Sequence, residues 1–303
     1  MAQKAGSLKR NATMNSARKL RELLNDNKLE LILEAHNGLS ARVVEEAHYA
    51  AIWASGLSIS SSMGLRDCNE ASWSQIINIV ELIYDAVNIP ILFDGDSGYG
   101  NFNNVRHIVK RLSHYGIAGI SIEDKLFPKM NSFISGGHTL TPCNEFIGKI
   151  KAAQDTKTND DFVVIARTEA LIAGLGVDAA LERAERYHAA GADAIFIHSK
   201  KSDGMEVIDF ARKWNRRCPL VVAPTTYTAL ALETLEQAGV SFYICANHLM
   251  RASLHNMKSI ACEIKKQQSI HYIDSQLSSL NEVFNILDYE ELKTAEHKYG
   301  LYV

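Results

Sequence analysis

Between Glu123 and Ser132 the chain reads EDKLFPKMNS: two acids and a lysine end an apolar run, and Lys129, Asn131 and Ser132 follow a short spacer. A second acidic pair lies upstream in FDGDSGYGN, where Asp94 and Asp96 alternate and so share one side of an extended chain. Carboxylates that close repel one another unless a proton or a cation intervenes. With Glu123, and with Asp67 of GLRDCNE, they form an oxygen-rich set, and hard oxygen ligands completed by water suit Mg2+. The competing reading of the two aspartates is helix capping. Arg167, closing FVVIAR, suits bidentate recognition of a carboxylate or phosphate; its competing use is a buried pair with Glu169. WASGL, Trp53 to Leu57, offers the Ser55 hydroxyl and, at Gly56 and Leu57, backbone N–H groups of the kind that bind an oxyanion. His198 reads equally as a site residue or a satisfied core histidine. The glycines do not form GxGxxG and give no support to a dinucleotide site.

Such residues need elements to hold them. Apolar runs recur as LELILEAH, AAIWASG, IPILFDGD, AGISIED, FVVIARTE, ADAIFIHS, PLVVAPT and SFYICAN. Each is too continuous for a strand with one wet face and suits a parallel strand buried on both sides. Helix-like segments separate them, several ending in glycine just before the next run. The alternation predicts an α/β fold, a (β/α)8 TIM-type barrel, with a doubly wound sheet as the rival topology. The placement of the polar residues favours the barrel. Asp94, Asp96, Glu123, Arg167 and His198 all fall at the C-terminal edge of a run, where barrel active sites sit. One domain is expected over 1–303, with a leading helix at about 15–28 and extra C-terminal helices at about 270–300.

The 303 residues are 47% hydrophobic and 22% charged, enough for a substantial core. A net charge of -3 argues against a general polyanion binder such as a nucleic-acid protein. The five cysteines are scattered without a CxxC pair, as expected of reduced thiols in a cytoplasmic protein. The basic N-terminal stretch lacks an apolar signal core, and no apolar run has the length of a membrane helix.

Several stretches together resemble a known family. EAHNGLSA, IWASGLS, DGDSGYGNFNN, EDKLFPKMNS, IARTEALIAG, GADAIFIHSKK and ANHLMRAS are similar to the phosphoenolpyruvate phosphomutases of the isocitrate lyase/phosphoenolpyruvate mutase superfamily, in the same order from about Leu20 to Tyr299. EDK, a five-residue spacer and NS form the mutase signature. The related phosphonopyruvate hydrolases carry threonine where this chain has Asn131, and the carbon–carbon lyases carry a cysteine-bearing KKCGH-type loop that is missing here. Gly95 stands where alanine is common, and Thr168 where valine is common. The resemblance implies an Mg2+-dependent isomerase that interconverts phosphoenolpyruvate and phosphonopyruvate in phosphonate biosynthesis. It implies that Asp94 binds Mg2+ directly and that Asp96 and Glu123, with Asp67 beside them, hold its waters. Trp53, Ser55, Gly56, Leu57 and Arg167 would grip the pyruvyl and oxyanion portions, and Lys129, Asn131 and Ser132 would lie on a closing loop. Asp67 falls at the position of the proposed nucleophile, and His198 and Asn131 line the path of the migrating group. A homotetramer and coupling to a phosphonopyruvate decarboxylase are implied as well. The rivals are a hydrolase, a lyase of the same superfamily, and a barrel used only for binding.

Overall fold

The computed structural model describes residues 16–134 and 138–300. Eight strands form, β1 Glu30–Ala35, β2 Ile52–Ala54, β3 Ile91–Asp94, β4 Gly119–Glu123, β5 Val163–Thr168, β6 Ala194–Ile197, β7 Leu220–Val222 and β8 Val240–Cys245. They pair in parallel in chain order, and β8 closes on β1, with Glu30 opposite Phe242. The fold is therefore the (β/α)8 barrel and not the doubly wound sheet. The apolar runs become strands because both of their faces are covered: β3, β4 and β6 are buried throughout.

The first helix, α1 over 16–25, precedes β1. Its apolar positions pack onto the barrel. Ala17, Leu20 and Leu24 join one cluster with Ile32, Trp53, Leu92, Val163, Ile165, Phe196, Val221 and Phe242 from the barrel strands. Each leucine so buried contributes on the order of 2 kcal/mol. Arg21 fastens the helix in place, donating to Asp193 Oδ1 at 2.9 Å and to the Phe162 carbonyl at 3.2 Å.

The helices that connect the strands are α2 Gly38–Glu46, α3 Gly56–Ser62, α4 Trp73–Ala86, α5 Phe102–Tyr115, α6 Cys143–Thr156, α7 Gly176–Ala189, α8 Met205–Trp214 and α9 Leu232–Ala238. Gly116 and Gly239 end α5 and α9 at φ 114° and 94°, a left-handed conformation that glycine adopts without a Cβ penalty. Helix α3 was not legible. Its sequence, GLSISSS, is rich in serine and lacks an apolar period, yet Ser55 caps it by accepting the Ser58 N–H at 3.3 Å.

The chain divides into two compact units, 1–248 and 249–303. The second unit holds most of α10 His248–Gln267, a 3-10 turn His271–Gln276, α11 Leu280–Ile286 and α12 Tyr289–Tyr299. All five cysteines are free. Among the described residues no helix is long and apolar enough to cross a membrane.

Gly95, just beyond β3, has no room for a side chain. A Cβ there would stand 2.7 Å from Ile120 Cδ1 and 2.9 Å from the Ser121 carbonyl oxygen, whose position is held by the Gly95 N–H at 2.8 Å. Alanine, the residue the family resemblance favours at this position, does not fit against Ile120 in this barrel. Gly95→Ala is expected to cost about 1–3 kcal/mol of stability, with only partial relief from a second change of Ile120→Val, because the carbonyl cannot retreat. Urea unfolding of the three proteins measures this, and an unchanged midpoint for Gly95→Ala would contradict it.

Candidate active site

The residues of EDK take separate directions because β4 alternates its faces. Glu123 and Lys125 face the barrel mouth, where both line one cavity, whereas Asp124 turns into the surrounding layer. There its buried carboxylate accepts from the Tyr187 hydroxyl at 2.7 Å, Arg183 at 3.0 Å, Thr168 at 3.2 Å and the Glu169 N–H at 2.8 Å. Asp124 thus ties α7 to the end of β5 and sets the backbone of Glu169. Nothing in the sequence distinguished Arg183 and Tyr187, which are ordinary polar positions on a helix.

Pairing of β4 with β5 sets Glu123 directly opposite Arg167. The Arg167 guanidinium lies 3.3 Å from Glu123 and 2.5 Å from Glu169, and rests over the Phe196 ring at 4.9 Å. The pair with Glu169 is therefore made, and Arg167 lines the cavity as well. Burial disfavours the guanidinium's charge, but Glu169, Glu123 and Asp94 outweigh it and hold the pKa above its ordinary value. Burial alone would raise the Glu169 carboxyl; Arg167, Lys125, His198 and the Ser132 hydroxyl reverse this and hold it below the usual carboxylate range.

The loop from β4 to α6 lies across this mouth. An antiparallel bridge between Lys125 and Leu140 closes its base. The Lys125 ammonium donates to the Met130 carbonyl at 3.0 Å and to Ser132, and pairs with Glu169 at 3.1 Å. Ser132 in turn donates to Glu169 Oε2 at 2.7 Å. Further along, the buried Lys129 ammonium pairs with Asp67 at 2.7 Å and also with Asp96. Asn131 donates its amide to Asp67 Oδ2 at 2.6 Å, while its carbonyl accepts the Phe133 N–H at 3.0 Å.

The cavity, about 50 Å3, is lined by Trp53, Ser55, Leu57, Asp67, Asp94, Glu123, Lys129, Asn131, Ser132, Arg167 and His198, all anticipated from sequence. Gly56 and Asp96 are the anticipated residues that stand behind this lining. The Gly56 N–H, expected to meet an oxyanion, donates to Asp94 Oδ2 at 3.2 Å, and the Ser55 hydroxyl caps α3. Sequence reasoning missed Phe133 and Phe196 of the lining, and Asn69, which holds Asp96; only Asn69's nearness to Asp67 could have marked it.

Charge in the mouth is unbalanced. Lys125, Lys129 and Arg167 face Asp67, Asp94, Asp96, Glu123 and Glu169, an excess of two negative charges when all are ionised. Burial, with Asp94, Asp67 and Glu123 nearby, pushes Asp96 up to about 8 against the pull of Lys129. Burial also raises Glu123 despite Arg167 and Lys125. Its Oε1 has no hydrogen-bond partner among the described residues.

His198 sits at the end of β6 with its ring edge-on to Phe133 at 5.4 Å. Burial, then Arg167 and Lys125, push its pKa down to about 3, so the imidazole is neutral at physiological pH. Between the unfolded value of 6.5 and about 3 the unfolded chain binds a proton that the native one refuses. The stability associated with the neutral ring is complete above 6.5 and is lost as pH falls. His198→Asn removes this dependence, so the variant should gain on wild type by up to about 1.4 kcal/mol per pH unit on acidification below 6.5. Urea midpoints at pH 7 and 4.5 read the difference; parallel losses in the two proteins would refute a buried neutral histidine.

Fold and site together define the class: a (β/α)8 barrel with its ionisable side chains gathered at the C-terminal strand edge, as in barrel enzymes. A sequence model described as phosphoenolpyruvate phosphomutase matches residues 20–265. The phosphoenolpyruvate phosphomutase of Tetrahymena pyriformis is 46% identical over 299 residues, 97% of this chain and 99% of that one. A crystal structure of phosphoenolpyruvate phosphomutase from Streptomyces platensis subsp. rosaceus superposes with a TM-score of 0.92 at 41% identity, covering 94% of this chain and 99% of that one. Phosphonopyruvate hydrolase in complex with oxalate and Mg2+ gives 0.88 at 35% identity, with coverage of 94% and 99%. The chain belongs to the phosphoenolpyruvate phosphomutase family.

Proposed function

We propose that this protein is a phosphoenolpyruvate phosphomutase, an isomerase that interconverts phosphoenolpyruvate and phosphonopyruvate by intramolecular phosphoryl transfer in phosphonate biosynthesis. The observation that carries the reading is the meeting of Asn131 and Lys129, both from the β4–α6 loop, on the carboxylate of Asp67 at 2.6 and 2.7 Å. A loop that delivers an amide and an ammonium to one buried acid brings phosphoryl-binding groups into the cavity while covering it. In the forward direction the enol O–P bond breaks, leaving the enolate of pyruvate, and C3 of that enolate then forms the C–P bond. The two compounds are isomers, so no proton or water enters the balance.

Phosphoryl transfer of this kind needs positioning and charge stabilisation more than covalent chemistry. Arg167, with Ser55 and Leu57 beside Trp53, is placed to hold the pyruvyl part, and Gly56 supports that wall by fixing Asp94. Lys129, Asn131 and Ser132 act from the loop, which serves as a lid against water. Asp67 meets the group in transit, either taking it covalently or passing it as a metaphosphate-like species. Neutral His198 adds a wall that carries no competing charge.

The residues present fit Mg2+. Asp94, Asp96 and Glu123 offer buried carboxylate oxygens, the hard ligands that Mg2+ takes together with water. The excess of two negative charges, and a Glu123 Oε1 that accepts no hydrogen bond among the described residues, favour a divalent cation. Asp94 would bind it directly, and Asp96 and Glu123 would hold its waters. When bound, the ion would draw negative charge from the substrate oxygens.

The free cysteines support a cytoplasmic setting, and we expect a phosphonopyruvate decarboxylase to consume the product. A homotetramer is supported by exposed apolar residues such as Leu254, Met257, Leu280 and Phe284 in the C-terminal helices.

The deciding measurement is a 31P NMR time course with phosphonopyruvate and Mg2+. Phosphoenolpyruvate should accumulate; free phosphate as the main product would make the protein a hydrolase instead. Asn131→Ala should lower the mutase rate by on the order of 10^2-fold, the scale of losing one positioned transition-state donor. Chelation should abolish turnover and added Mg2+ restore it, and full activity in chelator would remove the metal from the mechanism.

A further inference from the structure

Asn69 does not line the cavity, yet it touches both parts of the site. It lies between α3 and α4, two residues beyond Asp67, half-buried and at φ 58°. Asparagine tolerates that left-handed backbone better than most residues. Its Nδ2 donates to Asp96 Oδ2 at 2.9 Å, and its Oδ1 accepts the main-chain N–H of Lys129 at 2.7 Å. These partners determine how the amide is turned, because a peptide N–H only donates and the Asp96 oxygen accepts. A carboxylate at this position would keep the bond to Lys129 but would have no donor for Asp96.

The other contacts between the β4–α6 loop and the acids run through side chains that reach into the cavity. Substrate has to touch or displace those groups. Asn69 instead holds the backbone of the loop, a contact that need not change when the Lys129 ammonium moves. We propose that Asn69 is a positioning residue that aligns the β4–α6 loop with the Asp94–Asp96 end of β3, and that it thereby decides whether the phosphoryl group stays within the substrate or reaches water. The inference rests on the phosphomutase reading. Without Asn69, Lys129 and Asn131 remain present but their loop spends less time in the position that excludes water.

Asn69→Gly and Asn69→Asp test this. Glycine keeps the left-handed backbone and removes the amide. Aspartate also tolerates that backbone and keeps the acceptor for Lys129, but it lacks the amide N–H that Asp96 accepts. Arg66→Ala is the control, since Arg66 pairs with Glu70 in the same loop at the surface. With phosphonopyruvate and Mg2+, both Asn69 variants should lose kcat/KM by on the order of ten-fold, the scale of one or two hydrogen bonds. The share of product appearing as free phosphate should rise several-fold, which a general loss of stability would not produce. The Arg66 variant should match wild type in both. Unchanged rate and product share in both Asn69 variants would overturn the proposal. Should wild type form no phosphoenolpyruvate, the functional reading fails first, and trypsin cleavage at the buried Lys125 and Lys129 then decides the positional role. Faster cleavage in both variants at a melting temperature near that of wild type upholds it, and equal cleavage overturns it. If the glycine variant does not fold, the aspartate variant carries both readouts.

Discussion

The repulsion among carboxylates buried in one barrel mouth is the constraint on which the site depends. Asp94, Asp96 and Glu123 are each under a tenth exposed, on neighbouring strand ends. Asp67 reaches them from another loop, and Glu169 from the next strand. Low dielectric magnifies their mutual repulsion, and burial of any one without a partner would cost several kcal/mol. Cations from two directions answer it. Arg167 rises from the barrel itself, while Lys125 and Lys129 arrive on the β4–α6 loop. Placement of that loop is thereby coupled to the charge state of the acids it covers.

This coupling gives the loop a chemical meaning. A flexible cover with apolar contacts alone would close on any occupant of suitable size. Here the loop sets an ammonium and an amide onto Asp67, so the segment that covers the cavity also supplies polar groups to it. Buried ion pairs are weak contributors to net stability, but they penalise misplacement heavily, because a displaced partner leaves an uncompensated charge. Lys129 and Asn131, through these contacts, fix how the loop sits over Asp67.

The triplet EDK shows how a strand serves scaffold and site at once. Successive side chains point to opposite faces, so Glu123 and Lys125 reach the cavity while Asp124 binds Arg183 and Tyr187 of α7 and the backbone of Glu169. Through Glu169, the outward residue sets the partner of Arg167 and of Lys125. The density of charge in this stretch is thus divided between two environments, each with its own counter-ions.

Sequence alone determined the eight strands, their order, and the edge of the barrel where the ionisable residues gather, because these follow from local periodicity and from where polar residues interrupt apolar runs. It also marked most of the cavity lining, since Asp94, Glu123, Arg167 and His198 end strands whose ends must converge. Tertiary structure decided the pairings. That Lys129 meets Asp67 and Asp96, that the Gly56 N–H is taken by Asp94, and that Asn69 joins the Lys129 backbone to Asp96 are contacts between residues 27 to 62 positions apart. No local period carries such information. Helix α3 and the outward network of Asp124 were hidden for the same reason: a serine-rich segment and an ordinary helix face acquire their roles only from what the closed barrel places beside them.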